Sequence, residues 1–204
     1  MQALQNRHDV RPRAVLHLGA HLAEEAPDYA AAGVERVLWV EGNPDLMDPL
    51  HEALVPYPHQ RAVHAVIADT DDMLVSFRVA SFTMSSTILR FTGHTRYYPS
   101  IVEVSSQPAR TITGDTLLAR EGIDYGAFDM LNIDLEGAEL LALKGMPKTL
   151  DHVRWVYAEV EFEELHAGAA LVQDVDDFLD QRGFERVVLG NTGRGWGDAL
   201  YVRK

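Results

Sequence analysis

Carboxylates close the apolar runs of this sequence. Glu41 follows the run 36–40, Asp69 follows 62–68, Asp134 follows 128–133, and Glu159 or Glu161 follows 153–158. The first run, 14–18, is closed by Gly19 instead. Acids seldom gather at run ends inside a compact domain unless something pairs with them. A rim of this kind accepts hydrogen bonds from ligand hydroxyls, attracts positive charge, takes up protons and repels phosphate.

The elements that must position these residues follow from periodicity. The runs 14–18, 36–40, 62–68, 128–133 and 153–158 read as core strands, and 75–79 alternates as an added strand. Helices are expected over 23–32, stopped by Gly33, from Pro44 to Leu54, over 115–121 capped by Gly114 or Asp115, over 137–145, and over 172–181 stopped by Gly183. Segment 81–110 is the least regular part. The runs 184–189 and 199–202, joined by the Gly-rich turn 190–197, lie too close together for a helical crossover, so they form an antiparallel hairpin. Strands alternating with helices imply a doubly wound, mostly parallel α/β sheet. The expectation is one Rossmann-like domain over 1–204 with seven strands, ending in the hairpin, the arrangement of class I methyltransferases by analogy.

Open parallel sheets bind ligands beyond the carboxyl ends of their strands, which is where the acids fall. Glu41 follows Gly19 by 22 residues (19 to 41), the spacing of an acid that accepts both hydroxyls of a ribose. The first turn, Gly19-Ala-His-Leu-Ala-Glu24, lacks the G-x-G-x-x-G that admits a pyrophosphate. A cationic nucleoside without phosphates fits better than a dinucleotide, and S-adenosylmethionine is such a ligand. Plainer readings stand beside these. Gly19 can serve close packing alone, Glu41 and Asn43 can cap the Pro44 helix, and Asp69 can belong to a solvated turn, Asp69-Thr-Asp-Asp72. Trp155 and Tyr157 read as packing, on one strand face with Glu159 and Glu161.

The chain has 204 residues, 47% of them hydrophobic, enough for a full core without staples. It has no Cys, which removes thiolate metal sites and Cys nucleophiles. A formal net charge of −13 argues against a duplex nucleic-acid partner. Residues 1–13 lack the apolar stretch of a signal peptide, and no run approaches the ~20 residues of a membrane helix, so a cytoplasmic protein away from membranes is expected.

The segment Asn132-Ile-Asp-Leu-Glu-Gly-Ala-Glu139, continued to Lys144-Gly145, resembles the K-I-D-V-E-G-A-E…L-K-G motif of FkbM-type methyltransferases. Val15-Leu-His-Leu-Gly-Ala-His21 is similar to the family's D-V-G-A-N-x-G, Val40-Glu-Gly-Asn-Pro44 to its E-G-N-P, and Ala68-Asp69 to its alanine–aspartate pair. Ser85-Ser-Thr-Ile-Leu89 resembles a Ser-rich segment of many members. The family methylates hydroxyls of sugars, polyketides and related natural products with S-adenosylmethionine. The resemblance implies that Gly19, Ala20, His21, Glu41, Asn43 and Asp69 surround the cofactor, with Ser85 and Ser86 joining them, and that Asp134 and Glu136 lie at the reaction centre. His17 stands where the first motif often has an acid, and Ala23 replaces a Gly. A neutral imidazole cannot pair with the cofactor's ammonium, so Asp134 takes that contact or His17 bonds through water.

Methyl transfer to an alcohol needs alignment and a proton acceptor. Glu136 or Asp134 is the expected base, and His94, in Thr92-Gly-His-Thr-Arg96, is the second candidate. Magnesium held by Asp134, Glu136 and Glu159 or Glu161 is a less favoured route, and the expected site has no metal. Segment 81–110, with the hydroxyls of Thr83-Met-Ser-Ser-Thr87 and the aromatics of Arg96-Tyr-Tyr-Pro99, reads as a substrate lid over a small hydroxyl acceptor, or else as a homodimer contact. The competing classes are an NAD(P)-dependent oxidoreductase or epimerase on a related sheet, and a non-catalytic cofactor-binding module.

Overall fold

The computed structural model describes residues 10–204; residues 1–9, part of the segment read for a leader, lie outside the described residues. The main sheet holds β1 (Ala14–Leu18), β2 (Arg36–Glu41), β3 (Gln60–His64), β7 (Met130–Ile133), β8 (Trp155–Glu161), β9 (Phe184–Leu189) and β10 (Trp196–Arg203). Their spatial order is β3-β2-β1-β7-β8-β10-β9. The pairs from β3 to β8 are parallel, and β10 is antiparallel to both β8 and β9. The expected seven-stranded, doubly wound sheet with a closing antiparallel hairpin is therefore present.

Both faces of the sheet are covered, which is why its inner strands read as unbroken apolar runs rather than alternating ones. All five residues of β1 are buried. On one face Leu16, Leu38, Leu131 and Val156 pack with Leu117 and Leu118 of α4 (Gly114–Arg120), Leu143 of α5 (Glu139–Lys144), Leu150 of α6 (Pro147–Leu150) and Leu179 of α7 (Val172–Asp180). On the other, Val15, Val37, Trp39 and Met130 pack with Tyr29 of α1 (Ala26–Ala31) and with Leu50 and Leu54 of α2 (Met47–Leu54).

Several boundaries differ from the sequence expectation. The first helix starts at Ala26, because His21 (φ 44°) and Ala23 (φ 56°) turn left-handed before it and Pro27 opens it. The run 62–68 is two strands: β3 stays in the main sheet, and β4 (Val66–Ile67) crosses to a second sheet of order β4-β6-β5. In that sheet β5 (Leu74–Ala80) pairs antiparallel with β6 (Glu103–Ile112), so the last third of the "irregular" segment is regular strand. Thr113, not Gly114 or Asp115, caps α4 by accepting from the Thr116 N–H, while Asp115 accepts from the Thr149 hydroxyl and amide. Helix α5 begins at Glu139 rather than Gly137, since Glu136 (φ 52°) and Gly137 (φ 94°) are both left-handed.

The strand order reverses between β1 and β7, and there the two carboxyl ends almost touch. The Asp134 amide donates to the Leu18 carbonyl at 3.0 Å. A Cβ on Gly19 (φ +88°) would sit 1.7 Å from the Asp134 carbonyl oxygen. Gly33 (φ +78°) has nothing within 4 Å of the same position. Gly33→Ala therefore suffers only the left-handed penalty, about 1–2 kcal/mol. Gly19→Ala adds a backbone collision and is expected to lose roughly 2–5 kcal/mol. Urea midpoints of the two variants check this; equal losses would mean that the β1–β7 approach is not tight.

Candidate active site

A cavity opens at the carboxyl ends of β1, β2, β7 and β8, at the reversal of strand order where this class of sheet binds ligands. The second sheet and the 82–88 turn form its other wall through Val66, Phe77 and Thr83, and α3 (His94–Tyr97) with Tyr98 and Trp196 closes its far end. Of the residues expected around ligand and reaction centre, Gly19, His21, Glu41, Ser85, Ser86, His94, Asp134 and Glu136 line it together. Ala20 is buried behind the first turn.

His17, Asn43 and Asp69 do not line the cavity. His17 points to the α1–α2 face, stacked on Trp39 at 4.3 Å and 3.2 Å from the Tyr29 hydroxyl. Burial there lowers its pKa to about 3, so it is a neutral core residue. The cause is register: β1 alternates, and position 17 falls on the face opposite Leu16 and Leu18. Asn43 caps the turn Pro44–Leu46, accepting from the Asp45 amide at 3.1 Å, which is the plainer role read for it. Asp69 is exposed and accepts from the Thr70 hydroxyl at 3.1 Å, because the chain leaves the main sheet after His64 and carries it away.

Glu41 is buried at the end of β2. Its carboxylate accepts from the His21 amide at 2.8 Å and the Asn43 amide at 2.6 Å. Burial raises its pKa, and these amide bonds oppose the rise. A carboxylate has about four lone-pair sites, so two remain for ligand hydroxyls. His21 braces the opposite wall, with Nε2 2.8 Å from the Thr83 hydroxyl and Nδ1 2.6 Å from Glu24.

The floor is a group of acids. Asp134 follows β7, Glu136 sits on the left-handed turn behind it, and Glu159 comes from β8. Asp134 is exposed to the open cavity, while Glu136 and Glu159 are half-buried; desolvation by the surrounding walls, reinforced by mutual repulsion, raises the pKa of all three. Glu139 is raised by the same burial, and it closes the turn by accepting from the Leu135 amide at 2.7 Å and the Gly137 amide at 3.2 Å. Asp134, Glu139 and Glu159 present oxygens within 4.8 Å of one another. That set differs from the one expected for magnesium: Glu139 takes the place of Glu136, which lines the cavity with one oxygen 3.8 Å from His166 Nε2, while Glu161 is engaged by His166 Nδ1 at 2.6 Å. Among the described residues no Lys or Arg lines the cavity.

The aromatic residues expected to serve as a lid or a dimer contact are partly committed inside the chain. Tyr98 accepts from the Trp196 indole N–H at 2.9 Å, and Tyr97 donates to Glu163, which also meets Arg96 at 3.5 Å. Sequence reasoning missed Glu139, His166 and the orienting role of Glu161. The Glu136–Glu139 spacing and a His five residues after a strand-end acid were the only signals available.

The sequence profile of the FkbM methyltransferase domain matches residues 17–186. The chain belongs to the FkbM methyltransferase family. The enzyme uses S-adenosylmethionine. No curated protein matches it. Among solved structures it is similar to the ribosomal protein L11 methylase of Lactobacillus delbrueckii subsp. bulgaricus, at 13% identity and TM-score 0.52, covering 100% of this chain and 76% of that one. It is also similar to magnesium protoporphyrin IX methyltransferase of Synechocystis PCC 6803 with bound S-adenosylhomocysteine, at 10% identity and TM-score 0.54, covering 100% and 80%. At such identities the likeness is one of fold. The family removes the dinucleotide oxidoreductase reading. Among the described residues no helix is long and apolar enough to cross a membrane.

An anionic floor with no Lys or Arg beside it among the described residues suits the sulfonium and ammonium of this cofactor. The folded chain holds protons on these acids more tightly than the unfolded chain does. Their contribution to stability is therefore lost as pH rises from about 4 toward about 7, where Asp134 and Glu139 ionise. Cofactor affinity moves the opposite way. Calorimetry should show S-adenosylmethionine binding on the order of tenfold tighter at pH 7.5 than at pH 6, as one floor carboxylate ionises. S-adenosylhomocysteine, without the sulfonium, should change less. A flat profile for S-adenosylmethionine would contradict this charge pairing.

Proposed function

We propose that this enzyme is an O-methyltransferase acting on a neutral hydroxyl acceptor of the sugar or polyketide type, in natural-product biosynthesis. One observation carries the reading: Glu41, Asp134, Glu136 and Glu159 line the cavity with no Lys or Arg beside them among the described residues, while Phe82, Met84, Tyr98, Ile101 and Trp196 supply an apolar and aromatic remainder. Phosphorylated or carboxylated acceptors, nucleic acid among them, would meet uncompensated repulsion there. A hydroxyl compound with an apolar or ring face finds both acceptors and stacking surface.

The bound cofactor supplies a methyl group already activated by its sulfonium. The chain supplies alignment and a proton acceptor. In this reading Glu41 accepts the ribose hydroxyls, and Asp134, beside Gly19 at the reversal point, faces the cofactor's positive charge. Glu136 takes the acceptor's hydroxyl proton, and burial beside Asp134 and Glu139 raises its proton affinity. His94 lines the same cavity, and burial lowers its pKa, so it offers a neutral imidazole as the second candidate. Ser86 braces the 82–88 turn, donating to the Thr83 carbonyl at 2.7 Å.

Release of S-adenosylhomocysteine over a panel of glycosides, macrolide alcohols and phenols, each beside its phosphorylated or carboxylated counterpart, tests the class. Turnover is expected on a neutral member and at least about tenfold less on its anionic partner. Glu136→Gln should lower kcat by roughly 10²–10⁴ with S-adenosylhomocysteine affinity preserved. Preference for the anionic partners would overturn the acceptor class. Cofactor binding without turnover on any hydroxyl would favour the non-catalytic module.

A further inference from the structure

Behind Glu136 lies a buried pair that the proposed chemistry leaves unused. His166 and Glu161 are each 1% exposed. Glu161 Oε1 is 2.6 Å from His166 Nδ1, and Glu161 Oε2 accepts from the Leu165 amide at 2.8 Å. An ionised carboxylate can only accept, so Nδ1 carries a proton and Nε2 is the free nitrogen of the neutral ring. Nε2 is buried without a hydrogen-bond partner, and it faces Glu136 Oε2 at 3.8 Å. A buried polar atom left unpaired carries its full desolvation penalty, so its retention calls for a use.

The surroundings hold the ring in place. Phe91 packs on it at 5.5 Å, and a Cβ on Gly137 would come within 3.0 Å of the His166 Cβ. The Thr87 hydroxyl donates to the Glu136 carbonyl at 2.9 Å, fixing the left-handed turn that aims Glu136 between cavity and imidazole. The titratable groups facing His166 are Glu161 from β8, Glu136 from the turn after β7, and His94 from α3, whose ring lies 5.5 Å away.

We infer that Glu136 and His166 form one proton-accepting unit, with Glu161 fixing the imidazole tautomer so that Nε2 draws the acceptor's proton onward from Glu136. The inference rests on the reading of Glu136 as the base. As the acceptor oxygen bonds to the methyl carbon and the breaking C–S electron pair stays on sulfur, the O–H proton passes to the Glu136 carboxylate. It then passes to Nε2, leaving an imidazolium between two carboxylates and Glu136 ionised again. The proton returns through Glu136 to solvent after product leaves. His166 is thus a positioning residue that acts through Glu136. The arrangement follows the logic of a base oriented by a buried carboxylate.

Ring nitrogen resonances of [15N]histidine-labelled full-length protein, followed from pH 5 to 9 in wild type and Glu136→Gln, test the unit without an acceptor. His166 is assigned with His166→Gln, or by through-bond correlation if that variant does not fold. The expectation is a proton on Nδ1 throughout, titration at Nε2, and a midpoint lower by about 1 unit or more in Glu136→Gln, because a facing negative charge is gone. An equal midpoint in both proteins, or a neutral ring protonated at Nε2, overturns the inference. If Glu136→Gln also loses turnover on the best neutral acceptor of the panel, the base reading survives that overturning. A shifted midpoint with turnover intact instead removes Glu136 as the base, and the unit's catalytic use with it.

Discussion

Uncompensated negative charge in a confined space is the constraint around which this molecule is arranged. Parallel strands deliver Glu41, Asp134 and Glu159 to one end of the sheet, and the turn after β7 adds Glu136. Among the described residues no Lys or Arg in the cavity walls balances them. The fold tolerates this by giving the acids backbone amides and by letting their proton affinity rise. The missing positive charge is the one a sulfonium cofactor carries. In the function proposed above, affinity for the cofactor and the availability of a base follow from one electrostatic arrangement.

The close approach of Gly19 to Asp134 connects that arrangement to the sheet. Only a residue without Cβ lets β1 turn away while the Asp134 backbone passes beside it. The left-handed turn at Glu136 and Gly137 then points one carboxylate into the cavity, and Glu139 satisfies the amides that the turn exposes. The "Asp-Leu-Glu-Gly-Ala-Glu" stretch is therefore both a chemical and a structural unit. Its first two acids line the cavity, and its third holds the turn that presents them.

Much of this was legible from residue order. The core strands appear as apolar runs because both sheet faces are covered, and the closing hairpin follows from a connection too short for a helix. The second sheet was not legible. Ala65 breaks no pattern, so a run that leaves one sheet and joins another reads as a single strand, and the partner strand Glu103–Ile112, containing Pro108, looks irregular without β5 beside it. The site was legible where a residue's place depends on a strand end, as for Gly19, Glu41 and Asp134. It was not legible where a side chain's direction decides. His17 matches a motif position yet points into the core, and Asp69 leaves with the chain as it changes sheets. His166 lies far from every motif and reaches Glu136 only through the fold.

The structure of the protein crystallised with S-adenosylhomocysteine tests the central claim most directly. The account predicts the ligand in the crevice between the carboxyl ends of β1 and β7. Both ribose hydroxyls should lie ~3 Å from the Glu41 carboxylate, with the thioether sulfur directed toward Asp134 and Glu136. A ligand seated elsewhere, or one whose ribose leaves Glu41 bonded only to the His21 and Asn43 amides, would contradict it.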